Sequence, residues 1–288
     1  MSPAATVSSP RTLAGALDAL VGATEATLIL AGGTDLMVEF QTGRTRPGHV
    51  VDVWRVDELR GIRAEPAGLR IGALTTCTEL RASALAQEHA DILVIAADEV
   101  GAEQIQARAT IGGNLGTASP AADLTPVLFA LEAEVRLVSK AGARSLPVTE
   151  FLTGYRKTAR RPEELIESIL VPTRAPGERR GFRKVGTRRA QSISKVVVAV
   201  AVTALDGVIR TLRASAGSVA ERTILLPSLE RELAGKAPDA AALDRAARRA
   251  ATADCAPIDD VRSTARYRRE VLRRILRTLL AELLLDET

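Results

Sequence analysis

Residues 27–37 read TLILAGGTDLM: four apolar residues of strand character, then a paired glycine, a threonine and an aspartate. Residues 109–120, ATIGGNLGTASP, repeat the device further along the chain. A glycine pair directly after or inside an apolar β-type run lets the backbone take positive φ and removes two Cβ atoms. Successive N–H groups can then converge on an anion. Thr34, Asn114, Thr117 and Ser119 add neutral donors, and neither stretch contains a lysine. The spacings GxxxxGK[ST] and GxGxxG are both absent, so neither the Walker nor the Rossmann arrangement applies. Taken singly, each pair fits a structural tight turn as well as a ligand site. Two pairs, each followed by a hydroxyl-rich segment, favour a dinucleotide diphosphate held between two subdomains.

Composition bounds what surrounds these turns. A chain of 288 residues, 46% of them hydrophobic, can bury a sizeable core and is long enough for two domains. No apolar run reaches the length of a membrane span, and MSPAATVSSPRTL at the N-terminus lacks the basic start and apolar middle of a signal peptide, so a cytoplasmic protein is expected. Cys77 and Cys255 lie far apart without a CxxC pattern, and His49 and His89 fall in no ligand spacing, so no metal or iron–sulfur site is expected in this chain. The 39 Lys+Arg against 35 Asp+Glu leave a net charge of +4, but the arginines are scattered among carboxylates and aromatics make up only 2%. That pattern argues against nucleic acid and for solvated helix faces and partner surfaces. The densest basic segment, residues 266–285, carries Val271, Leu272, Ile275, Leu276, Leu279, Leu280 and Leu283 at helical spacing, which predicts an amphipathic helix docked on a core.

The remaining periodicity alternates strand and helix. Helices are expected over 13–20, over 36–42 with Gly43 closing it, and over 77–100; strands over 27–30, 50–53, 69–71 and 135–139. Proline, glycine and arginine interrupt the pattern at VPTRAPGERRGF, residues 171–182, and place a domain boundary there. Domains are expected over 1–175, with subdomains of roughly 1–58 and 59–175, and over 176–288. In the second domain, β-type runs over 195–205 and 208–214 meet at Asp206-Gly207, a hairpin signal, and helices dominate from Pro227 onward.

AGGTDL at 31–36 and ATIGGNLGTASPAADLTPVLFAL at 109–131 resemble the two flavin-binding loops of the FAD (medium) subunits of the xanthine dehydrogenase and carbon monoxide dehydrogenase family of molybdenum hydroxylases. Further segments are similar to that family: VDVWRVDELRGI (51–62), FLTGYRKTARRPEELI (151–166), GFRKVGTRRAQSISKVVVA (181–199) and PIDDVRSTARYRREV (257–271). The resemblance covers nearly the whole chain. It implies an α+β fold: a two-subdomain FAD-binding domain of the vanillyl-alcohol-oxidase (PCMH) type, then a smaller C-terminal α+β domain of the CO dehydrogenase flavoprotein type. It implies that Leu30, Ala31, Gly32, Gly33, Thr34, Asp35 and Leu36 form one pyrophosphate loop and that Thr110, Ile111, Gly112, Gly113 and Asn114 form the other. Thr117 and Asp123 continue the second loop toward polar groups of the cofactor. Leu165 and Ile166 match apolar residues against the flavin ring or adenine, and Lys184 matches a lysine close to the flavin, where positive charge would stabilise anionic forms. Where many bacterial relatives carry IRN before the second glycine pair, this chain has Ile105, Gln106 and Ala107, and GSVAERTILLP at 217–227 replaces a GSVAPTP continuation.

No Ser-His-Asp arrangement, Cys-His pair or carboxylate–metal cluster is apparent, so the chain offers no acid, base or nucleophile for substrate turnover. Neither glycine loop contains a histidine or cysteine to which a flavin could be linked, so non-covalent FAD is expected; the resemblance implies [2Fe-2S] clusters in a small partner subunit and molybdopterin in a large one. It further implies a dimer of heterotrimers that passes electrons through FAD to NAD, oxygen or a quinone as soluble acceptor. The alternatives are a stand-alone FAD-dependent oxidoreductase and a non-catalytic nucleotide-binding module.

Overall fold

The computed structural model describes residues 5–285; the first four residues of the N-terminal stretch read above lie outside the described residues. Among the described residues the chain builds three larger β-sheets in sequence order, each with its own helical cover, and one two-stranded ribbon.

The first sheet is parallel. β1 (Thr6–Ser8) leads through helix α1 (Leu13–Ala19) to β2 (Thr27–Leu30), and helix α2 (Leu36–Gln41) crosses over to β3 (His49–Asp52). β3 sits centrally and pairs in parallel with both neighbours. Thr12 starts α1 by accepting the Gly15 N–H, and α2 ends at Thr42, followed by Gly43 at φ +66°. Ala16, Leu20, Val51, Val53, Val56 and Leu59 form the core of this small layer.

The second sheet is antiparallel throughout. It orders β4 (Ile62–Glu65), β5 (Gly68–Gly72), β6 (Glu134–Ser139), β7 (Gly142–Pro147) and the long β10 (Leu165–Pro172) as β4-β5-β10-β6-β7. Between β5 and β6 lies a helical layer: α3 (Cys77–Ala82), α4 (Ala84–His89), α5 (Asp91–Asp98), α6 (Glu103–Gln106), α7 (Ile111–Gly116) and α8 (Leu124–Ala130). A short helix α9 (Val148–Phe151) and a two-stranded ribbon, β8 (Leu152–Gly154) with β9 (Lys157–Thr158), connect β7 to β10.

The 77–100 segment is three short helices rather than one. Ser83 takes an extended conformation and caps α4 by accepting the Ala86 N–H, and Ala90 (φ −144°) breaks the next junction. A serine that satisfies a starting helix from outside cannot also continue the preceding one. The second glycine stretch also departs from its β-type expectation: only Thr110 keeps a strand-like bridge, to Thr76, and residues 111–116 turn into α7.

The third sheet is antiparallel, β11 (Glu178–Val185), β12 (Val196–Leu205), β13 (Val208–Gly217) and β14 (Ile224–Leu225) in sequential order. Only residues 173–177 separate β10 from β11, so the interruption in the sequence is a short link between two long strands. The β12–β13 hairpin turns at Asp206 (φ +52°) and Gly207 (φ +73°), the paired positive φ of a type I′ turn. Helices α10 (Pro227–Leu233), α11 (Ala240–Ala253) and α12 (Ala265–Leu284) cover one face. α12 buries Leu272, Leu276, Leu279 and Leu280 against the sheet, as the helical spacing predicts.

Candidate functional site

The turn after β2 and the entry to α7 are pressed together. A Cβ on Gly32 would lie 1.7 Å from the Arg108 carbonyl oxygen, so only glycine permits this approach. The ideal Cβ of Gly113 falls 4.0 Å from the Ala31 methyl, and the Arg108 Nε–H donates to the Gly32 carbonyl at 3.3 Å.

The two glycine pairs do different work. Of the four, only Gly33 has positive φ, +79°. Gly112 and Gly113 sit in the first turn of α7 and serve close packing: a Cβ on Gly112 would meet Ala73 at 2.7 Å, and one on Gly113 the Thr110 hydroxyl at 2.8 Å. The backbone N–H groups divide the same way. Ile111 donates to the Thr75 carbonyl (3.0 Å), Gly112 to the Ala73 carbonyl (2.9 Å), Gly113 to Thr110 Oγ1 (3.0 Å) and Asn114 to the Thr110 carbonyl (2.9 Å). Among the described residues no acceptor meets the N–H groups of Gly32, Gly33, Thr34 or Asp35. The first loop therefore presents a row of unspent donors suited to a diphosphate, while α7 presents side chains and a closely packed wall.

One of those side chains is unsatisfied. The Asn114 carboxamide oxygen is buried without a hydrogen-bond partner. Buried polar atoms in a folded protein rarely lack partners. A ribityl hydroxyl would supply a donor, and with the amide turned round its NH₂ would face a phosphate oxygen. The unspent loop N–H groups, the glycine-only approach and this orphaned amide all fit a bound FAD.

The other predicted residues sort by location. Ile166 lies against α7, its Cδ1 3.4 Å from where Gly116 would carry a Cβ. Leu165 is buried in the apolar cluster that also holds Val51, Val53, Leu74 and Val138. Thr117 caps the end of α7, and Asp35 precedes α2 without its side chain capping the helix, accepting instead from Arg156 at 3.4 Å. Leu30 ends β2, and Leu36 begins α2. Lys184 and Asp123 pair with each other and with neither loop. Lys184 Nζ donates to Asp123 Oδ2 at 2.7 Å and to the Glu99 carbonyl at 2.6 Å, and the Ser194 hydroxyl donates to the other carboxylate oxygen. The lysine side chain is 2% exposed. Burial pushes the Asp123 carboxyl up, against the opposing pull of Lys184 and Ser194. Lys184 is thus the buried half of an ion pair rather than a free positive charge.

Several residues outside the glycine loops border the site. Trp54, two residues past β3, is stacked by the Arg108 guanidinium (3.7 Å to the ring centroid) and by that of Arg60 (4.5 Å). Arg60 also donates to the Trp54 and Leu74 carbonyls. Its being the sole tryptophan, directly after a strand that borders the first loop, is the signal that could have found it. Gln106 is 3% exposed; its amide donates to the Asp98 carbonyl (2.8 Å) and accepts from Arg81 (2.7 Å), bracing α6 against α5 and α3. The approach to the second glycine pair is therefore held by a neutral amide.

Comparison with known proteins agrees with this geometry. Residues 3–174 match the family model "FAD binding domain in molybdopterin dehydrogenase", and residues 181–283 match "CO dehydrogenase flavoprotein C-terminal domain". The chain is 30% identical to the xanthine dehydrogenase FAD-binding subunit of Escherichia coli O157:H7, over 94% of this chain and 93% of that one. It is 30% identical to the carbon monoxide dehydrogenase medium chain of Hydrogenophaga pseudoflava, over 83% of each. Among solved structures, reconstituted CO dehydrogenase from Oligotropha carboxidovorans superposes with a TM-score of 0.93 at 27% identity, each chain fully covered. With two opposed glycine loops that fit FAD and family matches spanning both halves, the chain belongs to the family of FAD-binding subunits of the molybdopterin dehydrogenases, with the CO dehydrogenase type of C-terminal domain.

Proposed function

We propose that this chain is the electron-transfer subunit of a heterotrimeric molybdenum hydroxylase, holding FAD non-covalently between the Gly32–Asp35 loop and α7. In this reading a small subunit with [2Fe-2S] clusters delivers electrons that originate at molybdopterin in a large subunit, and a soluble acceptor, NAD, oxygen or a quinone, removes them. Two heterotrimers pair into a dimer, and the complex works in the cytoplasm. When bound, FAD supplies the junction between one-electron centres and a two-electron acceptor.

The chain's own residues bind and orient. The N–H groups of Gly32 to Asp35 take the diphosphate, Asn114 and Thr117 take polar groups of the cofactor, and Ile166 closes the apolar side against α7. The observation that carries the reading is the row of unspent N–H donors on a loop packed against α7, whose Asn114 oxygen is buried without a partner.

An anaerobic absorbance titration tests this. Organic substrate should bleach the flavin of the assembled complex and leave that of the isolated subunit oxidised, while dithionite reduces both. Substrate bleaching of the isolated subunit at the complex's rate would make it a self-sufficient oxidoreductase and overturn the proposal.

A further inference from the structure

Arg108 is exposed, belongs to no motif, and yet contacts both the Gly32 backbone and Trp54. Its carbonyl oxygen rests on the Gly32 backbone so closely that no Cβ fits between them. Its Nε–H donates to the Gly32 carbonyl at 3.3 Å, and its guanidinium lies 3.7 Å from the centroid of Trp54. Two residues on, Thr110 caps α7. Trp54 is in turn fixed by Arg60, which stacks on the ring and binds the carbonyls of Trp54 and Leu74. The first loop spends none of its N–H groups from Gly32 to Asp35 inside the protein, so its position is set by what grips its carbonyl side.

We infer that Arg108 is a positioning residue for FAD: stacked on Trp54, it clamps the Gly32 loop against the entry to α7 and so holds the diphosphate donors in place before the cofactor arrives. The inference rests on reading that loop as the diphosphate site. A loop held in its binding conformation loses less entropy on binding, and the gain appears as affinity. The stacked planar guanidinium and its directed N–H are features that lysine cannot reproduce.

The test measures FAD affinity of the reconstituted apo-subunit for the wild type, Arg108→Met, Arg108→Lys, Trp54→Leu, the Arg108→Met/Trp54→Leu double variant and Gly33→Val. Removing a stacked cation and its hydrogen bond should raise Kd about tenfold. Arg108→Lys, which keeps the charge, should bind as weakly as Arg108→Met. The double variant should bind no worse than the poorer single variant, because both changes release the same clamp. In the Arg108 variants the emission of Trp54 should also shift before any FAD is added. Full affinity in Arg108→Lys would mean direct charge recognition of the diphosphate, and additive losses in the double variant would mean independent contacts; either overturns the clamp. Unchanged affinity in Arg108→Met with loss in Gly33→Val would overturn the clamp alone, whereas unchanged affinity in Gly33→Val would remove the site reading beneath it. Circular dichroism of each variant confirms folding, which the exposed position of Arg108 favours.

Discussion

At the scale of single residues, the Lys184–Asp123 pair shows how an ionisable group can be essential without being free. The lysine's charge is matched by one carboxylate, and the remaining valences go to the Glu99 carbonyl and the Ser194 hydroxyl. Replacing Lys184 with methionine leaves a carboxylate buried without its cation, which should cost about 3–5 kcal/mol at neutral pH. The pH dependence has a definite sign. Burial already pushes Asp123 up, and without Lys184 to oppose it the folded carboxyl moves further above its unfolded value. Such a group supports the fold while protonated, below the unfolded pKa, and that support fades as pH rises through the folded one. Urea denaturation should therefore find the variant's deficit largest at neutral pH and smaller at acid pH. A deficit independent of pH would mean that Asp123 does not feel the lysine.

At the scale of elements, the entrance to β10 is fixed by a two-pronged pair from β7. Arg144 donates to both oxygens of Glu164, at 2.6 and 2.8 Å, and the Arg161 N–H adds a third bond at 2.7 Å. Leu165 and Ile166 follow immediately, so this pair sets where the apolar residues of the cofactor side begin. Burial alone would raise the Glu164 carboxyl, but the bonds and charges of the two arginines outweigh it and hold the group below its ordinary 4.5. A carboxyl lowered in the fold contributes stability above its unfolded pKa and loses it as pH falls through the folded value. Glu164→Gln should thus be clearly less stable than the wild type at pH 7, and the gap should narrow as pH is lowered toward 3. Chemical denaturation across that range checks it, and a gap that widens on acidification would contradict the assignment.

At the scale of the molecule, the C-terminal sheet and the FAD-binding part share a core. Phe182, Val197, Ala199 and Ala201 lie in the same apolar cluster as Leu124, Val127, Leu128 and Ile169. β13 is stitched to α8 by Ser215 Oγ donating to the Pro126 carbonyl, and just past the strand the Ser218 N–H donates to the Pro120 carbonyl ahead of the helix. Arg268, 4% exposed on α12, donates to the carbonyls of Lys195 and Ser218 and to Asp260, tying helix, sheet and loop together. Parts joined through one core unfold together. Emission from Trp54, which reports on the surroundings of the first sheet, and far-ultraviolet circular dichroism, which reports on the whole, should give one coincident urea midpoint. Separate midpoints would mean that the halves are energetically independent.

The sequence by itself determined what local chemistry can decide. The strand and glycine pair at 27–33, the Asp206-Gly207 hairpin, the apolar stripe of α12 and the ordered family motifs each rest on neighbouring residues, so they are legible without knowing what packs where. Only the tertiary structure decided the rest. It split 77–100 at Ser83 and Ala90, because a capping serine serves the helix after it. It turned the second glycine pair into the first turn of a helix whose N–H groups are spent on Ala73, Thr75 and Thr110, leaving the first loop as the source of free backbone donors. It placed Arg108 and Trp54 at the site and matched Lys184 to Asp123, because contacts between residues distant in the chain follow from packing, which one-dimensional spacing does not record.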